Sequence, residues 1–183
     1  GYTNGSIDGQ TNASAYDAFL TKYGSDGTLL WTKQLGTGGS DYAQGVSTDS
    51  NNDVYITGYT NGNLDGQTSG GGYDAFVTKY GSDGTLLWTK QLGTSTSSTE
   101  QAFGVSTDSN NNVYITGYTQ GDLDGTSGGD DAFVTKYDSA GTKLWTKQLG
   151  TGVHDRAYGV ATSTDMITIN SAFTTGEIYT AET

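Results

Sequence analysis

Short segments of this chain carry apolar side chains at both odd and even positions. In the segment 53–60, DVYITGYT, Val54 and Ile56 alternate with Tyr55 and Tyr59. A β-strand with one solvated face alternates apolar and polar residues, so apolar residues at both parities indicate strands that are covered on both faces. Clusters of Asn, Asp and Gly separate the segments, and no helical period appears. The pattern predicts an all-β protein of short strands.

Four strand segments form a unit that occurs three times. The tryptophans of the copies, Trp31, Trp88 and Trp145, are evenly spaced at 57 residues. Such a repeat indicates one supersecondary unit whose copies bury apolar surface against each other. Four consecutive antiparallel strands are typical of a β-propeller blade. In the second copy the segments are 44–49 (QGVSTD), 53–60 (DVYITGYT), 74–80 (DAFVTKY) and 86–92 (LLWTKQL).

Three joint motifs carry a family resemblance: DSNNxVYITGYT, DAFVTKY and WTKQLGT. Over nearly the whole chain they resemble the bacterial SBBP-type β-propeller repeat. The resemblance implies a propeller of the kind found in secreted or surface-attached bacterial proteins. It implies no catalytic residues, because the family has no single assigned activity.

In related propeller repeats the GVxxD strand is the innermost, which sets the division of the chain. Complete blades then span 41–93 and 100–150, an outer half-blade spans 1–37, and an atypical inner half-blade spans 155–174. The single domain 1–183 thus holds three blade equivalents, whereas propellers close with roughly four to eight. We expect closure through self-association that shares the split blade, or through further repeats.

The composition limits the possible partners. The chain has 8 basic and 20 acidic residues, a net charge of −12, and no cysteine. This charge disfavours nucleic acid and anionic lipid and suits cations or neutral glycans. No run approaches the roughly 20 apolar residues of a membrane span, so we expect no membrane insertion. The first residue is a glycine within a repeat motif, which indicates a processed chain or a segment of a longer one.

The loops between the second and third strands, 4–16, 61–73 and 120–131, are acidic and rich in glycine. Calcium prefers several carboxylate and carbonyl oxygens on such a loop, so Ca²⁺ is one interpretation. The other is that Asp-Gly forms turns and that the loop-ending aspartates accept hydrogen bonds from loop amides. The candidate metal ligands are Asp8, Asp17, Asp65, Asp74, Asp122, Asp124 and Asp131.

Tyrosines lie where strands enter the same loop face. Stacking on sugar rings, with help from Asn side chains, would make this face a glycan-binding site. Alternatively, the tyrosines pack between blades with their hydroxyls in water. The candidate ligand-binding residues are Tyr2, Tyr59, Tyr118, Asn61 and Asn63.

The sequence offers little support for catalysis. The single histidine, His154, lies beside Asp155, and no set of nucleophile, base and orienting residue can be named. We therefore expect a non-enzymatic, extracellular or cell-surface bacterial module for binding, adhesion or scaffolding, with a glycan or a surface protein as partner. The alternatives are a purely structural repeat segment or self-assembling multimer, and a propeller-type hydrolase or lyase.

Overall fold

The computed structural model describes residues 1–13, 15–94, 98–125, 128–163 and 166–171. Apart from a single 3₁₀ turn at Leu64–Gly66, the regular structure of these residues is entirely β. The strands are β1 (Tyr2–Thr3), β2 (Asp17–Tyr23), β3 (Leu29–Leu35), β4 (Asp41–Thr48), β5 (Val54–Thr60), β6 (Asp74–Tyr80), β7 (Leu86–Leu92), β8 (Glu100–Thr107), β9 (Val113–Thr119), β10 (Asp131–Tyr137), β11 (Lys143–Leu149), β12 (Ala157–Thr162) and β13 (Ile167–Ser171).

The strands form antiparallel sheets in sequence order. Two sheets have four strands, β4 to β7 and β8 to β11, and they are flanked by the three-stranded sheet β1 to β3 and the pair β12 and β13. The predicted all-β fold of four-stranded propeller-blade repeats is confirmed. The division into the units 1–37, 41–93, 100–150 and 155–174 stays a prediction, and residues 172–174 lie outside the described residues.

The first strands of successive units lie side by side, β4 against β8 and β8 against β12. Thr107 Oγ1 donates a hydrogen bond to the carbonyl oxygen of Thr48 at 2.8 Å, and Thr162 Oγ1 donates to that of Thr107 at 2.8 Å. Glycine permits the close approach, because a Cβ at Gly45 would lie 2.7 Å from the carbonyl oxygen of Phe103. The units are therefore arranged around their first strands.

The hydrophobic core lies between units. One cluster joins the second and third units, and a smaller one joins the first and second. Each takes an Ala and a Val or Leu side chain from the third strand of one unit. From the next unit each takes the second-strand Ile and the third-strand Phe and Tyr. The larger cluster consists of Tyr55, Ala75, Val77, Leu92, Ala102, Val113, Ile115, Phe133 and Tyr137.

A tryptophan of one unit covers the turn of the next at the outer edge of each contact. The indole nitrogen of Trp31 donates to the carbonyl oxygen of Ser82 at 3.2 Å, and that of Trp88 donates to the carbonyl oxygen of Ser139 at 3.2 Å. A Cβ at Gly141 would lie 3.0 Å from Trp88 Cδ2, and Gly141 has a φ of +83°. The turn thus requires glycine for its backbone and for the indole above it.

No helix among the residues described could cross a membrane.

A buried lysine braces the second unit. Lys79 Nζ lies 2.9 Å from Asp53 and 3.4 Å from the buried Asp49, which also accepts a hydrogen bond from the Tyr55 hydroxyl at 3.0 Å. Burial alone would lower the pKa of Lys79, but its interactions with Tyr55 and Asp53 raise that pKa above its ordinary value. The matched lysine of the first unit, Lys22, donates to the carbonyl oxygen of Ser82 at an exposed position.

We predict that Lys79→Met lowers the free energy of unfolding by about 2–3 kcal/mol, because it leaves the buried Asp49 carboxylate without its cation. The control Lys22→Met removes an exposed hydrogen bond to Ser82 and a cation–π contact with Trp31, and is expected to cost less than about 1 kcal/mol. Urea unfolding followed by tryptophan fluorescence measures both values. Equal losses in the two variants would contradict this account.

Candidate functional site

The loops between the second and third strands are fixed by a carboxylate and a glutamine in each unit. Asp74 Oδ2 accepts hydrogen bonds from the Gly70 amide at 2.7 Å and from Gln91 Nε2 at 2.7 Å. Gln91 also donates to the carbonyl oxygen of Gly62 and accepts from the Leu64 amide. The first unit repeats this arrangement with Asp17 and Gln34, and the third with Asp131 and Gln148.

A second buried carboxylate links each unit to the next. Asp41 accepts from the Thr37 amide at 2.7 Å and from the Thr60 hydroxyl. Glu100 accepts from the hydroxyls of Thr94 at 2.8 Å and Thr119 at 2.9 Å. Burial raises the pKa of both carboxyls, and these hydrogen bonds offset part of the effect. Sequence reasoning missed both residues, although each is the acidic residue that opens the first strand of a unit.

The predicted calcium ligands have separate structural roles. Asp8 and Asp65 have φ values of 51° and 49°, as residues in tight turns do. Asp122 accepts from the Gly125 amide, and Asp124 accepts from the Gln148 amide at 2.9 Å. Within the described ranges, no group of three or more His, Asp or Glu side chains is placed to hold a metal. Calcium binding stays a prediction, which the unfolding midpoint in EDTA against added Ca²⁺ would test.

Each of Asp17, Asp74 and Asp131 also has a buried oxygen, Oδ1, that has no hydrogen-bond partner among the described residues. That oxygen lies against a glycine at the end of the fourth strand, and a Cβ there would overlap it. The residues concerned are Gly36, Gly93 and Gly150. The loop aspartates are therefore packed against backbone at this oxygen and hydrogen-bonded to their own loop or glutamine at the other.

Five tyrosines of the first two units form one aromatic group on the loop face, which we call the tyrosine cluster: Tyr2, Tyr16, Tyr42, Tyr59 and Tyr73. Tyr42 is at its centre, with ring centroids 4.8 Å from Tyr2, 5.6 Å from Tyr16 and 4.9 Å from Tyr59. Tyr59 lies 5.3 Å from Tyr73. The backbone holds the group in place, since the Asp41 amide donates to the carbonyl oxygen of Tyr16 at 2.6 Å.

The cluster has a solvent-facing edge and a half-buried base. Tyr2 is 50% exposed and Tyr16 is 38% exposed. Tyr59 is half-buried. Burial is the main cause that raises the pKa of its hydroxyl, and electrostatic interaction with the neighbouring tyrosines adds to this effect. The predicted Asn61 and Asn63 border the cluster as loop supports, with side-chain oxygens that accept from the amides of Ser40 at 2.6 Å and Ser69 at 3.0 Å. The structure thus brings Tyr2 and Tyr59 into one surface through Tyr42, which sequence reasoning did not single out.

The third unit departs from this pattern around Tyr118, which is only 6% exposed. The Arg156 guanidinium lies 4.2 Å from its ring centroid, and Phe103 stacks on it at 6.0 Å. Arg156 Nε also donates to the buried Asp130 at 2.8 Å, and His154 Nδ1 lies 3.1 Å from the same carboxylate. Burial would raise the pKa of Asp130, but Gln120 and Arg156 hold it below its ordinary value. Tyr118 therefore lies beneath an ion pair.

Comparison with known proteins agrees with this architecture. Residues 30–65 and 87–124 match the SBBP family, which is described as a β-propeller repeat. The resemblance to the β-propeller repeat inferred from the sequence is confirmed in these two segments. These repeats define a repeat scaffold or binding module.

A curated relative is an uncharacterized WD repeat-containing protein of Acanthamoeba polyphaga mimivirus. It is 26% identical over 170 residues, which cover 76% of this chain. The chain spans 12% of the length of that relative.

We predict that Glu100→Gln changes the pH dependence of stability. Because the folded-state pKa of Glu100 is raised, this carboxyl holds its proton in the folded chain at pH values above 4.5 at which it has lost it in the unfolded chain. The contribution of Glu100 to the stability of the folded chain therefore falls as the pH rises. The unfolding free energy of the variant minus that of the parent chain should therefore be larger at pH 7 than at pH 4. Chemical unfolding of both proteins across this range measures the difference.

The control Asp83→Asn should show the opposite trend, because hydrogen bonds from Thr85 lower the pKa of Asp83. The folded state then favours the charged carboxylate, and the contribution of Asp83 is lost as the pH falls. A stability difference for Glu100→Gln that does not vary with pH would show that Glu100 titrates alike in the folded and unfolded chains.

Proposed function

We propose that this chain is a non-catalytic binding module, outside the bacterial cell or at its surface, that presents its loop face to neutral glycans. The supporting observation is the tyrosine cluster, in which exposed rings lie on a rigid base of hydrogen-bonded loops. Tyrosine supplies a flat apolar face and a polar hydroxyl, which suits stacking on a sugar ring beside its hydroxyl groups. A protein partner at the same face is the alternative.

The charge supports an uncharged ligand. The net charge of −12 repels polyanions, so acidic polysaccharides and nucleic acids are poor partners. The candidate rings Tyr2 and Tyr16 are exposed, whereas Tyr118 is covered by Arg156. We therefore place the binding surface at the first two units and give the third unit a supporting role.

We also propose that the module acts without catalysis. His154 is exposed and lies against Asp130, which is occupied by Arg156 and Gln120. That arrangement describes an ion-pair network, because the side chains that contact the Asp130 carboxylate among the described residues are Arg156, His154 and Gln120. A purely structural role of the repeats is the alternative, favoured by the near-identity of the segments 17–37 and 74–94.

We predict that a glycan array detects binding by the intact chain. Tyr16→Ala should weaken this binding about tenfold or more, as expected when an aromatic side chain that a ligand covers is removed. Tyr23→Ala is the matched control, because Tyr23 is an exposed tyrosine of the same unit outside the cluster. Unchanged binding in Tyr16→Ala, or an equal loss in Tyr23→Ala, would contradict the proposed surface. Absence of any glycan ligand would favour the structural alternative.

A further inference from the structure

Each end of the described repeat array has an exposed apolar face. At the matching positions inside the array, a neighbouring unit covers this face. On the third unit, Leu149 is 56% exposed, whereas its counterpart Leu92 is 6% exposed. On the first unit, Tyr23 is 61% exposed, whereas its counterparts Tyr80 and Tyr137 are each 3% exposed. Both faces are thus the halves of a unit-to-unit contact.

These two faces carry the same types of residue as the two sides of the contact between the second and third units. In the larger core cluster, Ala75, Val77 and Leu92 of one unit pack against Phe133 and Tyr137 of the next. In the third unit, the residues that match Ala75, Val77 and Leu92 are Ala132, Val134 and Leu149. In the first unit, the residues that match Phe133 and Tyr137 are Phe19 and Tyr23.

The tryptophan contact is also divided between the ends. Trp145 has no hydrogen-bond acceptor for its indole nitrogen among the described residues, in contrast to Trp31 and Trp88. Gly27 has a φ of +82° like Gly84, and nothing lies within 4 Å of the position of its Cβ. In both internal contacts, the corresponding glycine is covered by the corresponding tryptophan.

Strand pairing gives the same result. β2 pairs with β1 at Asp17 and Ala18, and Phe19 exchanges backbone hydrogen bonds with Gly1. Among the described residues, no strand pairs with the edge from Leu20 to Tyr23 on that side. β13 pairs with β12 along one edge, and no described strand pairs with its other edge. In the complete units this second-strand edge pairs with the third strand, with Ile115 opposite Thr135. The corresponding pair is Ile169 and Thr21.

We propose that two copies of this chain associate head to tail, each using its β13 to complete the edge of β2 in the other, so that six blade equivalents close a ring. The pairing places Ile169 opposite Thr21 of the second copy, and Trp145 over its Gly27. The contact is heterologous, and closure after two copies limits its size. This proposal does not depend on glycan binding.

Sedimentation across a range of concentrations tests the association. We expect a species of twice the 19.1 kDa chain mass at high concentration. Trp145→Ala should weaken it about 30-fold or more, as expected for an interface tryptophan worth at least ~2 kcal/mol. It should lower the unfolding midpoint of the dilute single chain less than Trp88→Ala does, because within the chain Trp145 contacts Tyr114 but covers no turn among the described residues. The matched control Trp88→Ala should lower that midpoint, because Trp88 covers a turn within the chain.

Engineered cysteines test the register, since the chain has no cysteine of its own. The double variant Thr21→Cys with Ile169→Cys should form an intermolecular disulfide, because opposite residues of paired strands lie within disulfide reach. The control Thr21→Cys with Thr168→Cys places the thiols on opposite faces and should remain uncrosslinked.

A chain that is monomeric at every concentration, or that forms open assemblies larger than two copies, would overturn the proposal. So would a dimer that forms equally well with Trp145→Ala, or a disulfide that forms equally in both cysteine pairs. A neighbouring repeat within a longer polypeptide would offer the same two faces, and the monomeric outcome would point to it.

Discussion

The structure depends on one constraint: each unit buries its apolar side chains against the unit beside it. Tyr55, Val77 and Leu92 of the second unit form one buried cluster with Phe133 and Tyr137 of the third. An isolated four-stranded sheet with apolar residues on both faces would expose both faces to water. Because burial of apolar area is the main favourable term in folding, stability in this chain is a property of neighbouring pairs.

Close approach at the contacts restricts which residues can occupy them. Gly45 and Gly104 let the first strands pass each other, and Gly141 lets an indole lie on a turn. Buried carboxylates then fix the connections, since Asp41 and Glu100 hold the chain where one unit passes to the next. The rigidity of the loop face, and hence of the tyrosine cluster, follows from these hydrogen bonds.

Parity and period in the sequence predicted much of this fold. The segments 74–80 and 86–92 agree with β6 and β7 in both bounds, whereas β4 begins at Asp41, three residues before the predicted segment, because Asp41 and Tyr42 pair with Thr60 and Tyr59. The sequence placed Tyr2 and Tyr59 on this loop face, but the central Tyr42 was missed because it is not repeated: its position is Gln101 in the next unit. The hydrogen bond from a loop amide to Asp74 agrees with one of the two interpretations of the loop aspartates, whereas the bond from Gln91 could not be predicted, since Gln91 lies 17 residues away along the chain.

The Hα chemical shifts of Gly27, Gly84 and Gly141 test the central claim most directly, because a proton above an indole face is shifted upfield. In the dilute single chain, the account predicts upfield shifts for Gly84, which lies under Trp31, and for Gly141, which lies under Trp88. Gly27 has no such neighbour among the described residues and should have an ordinary shift. Ordinary shifts at all three glycines would show that the units do not pack in this way.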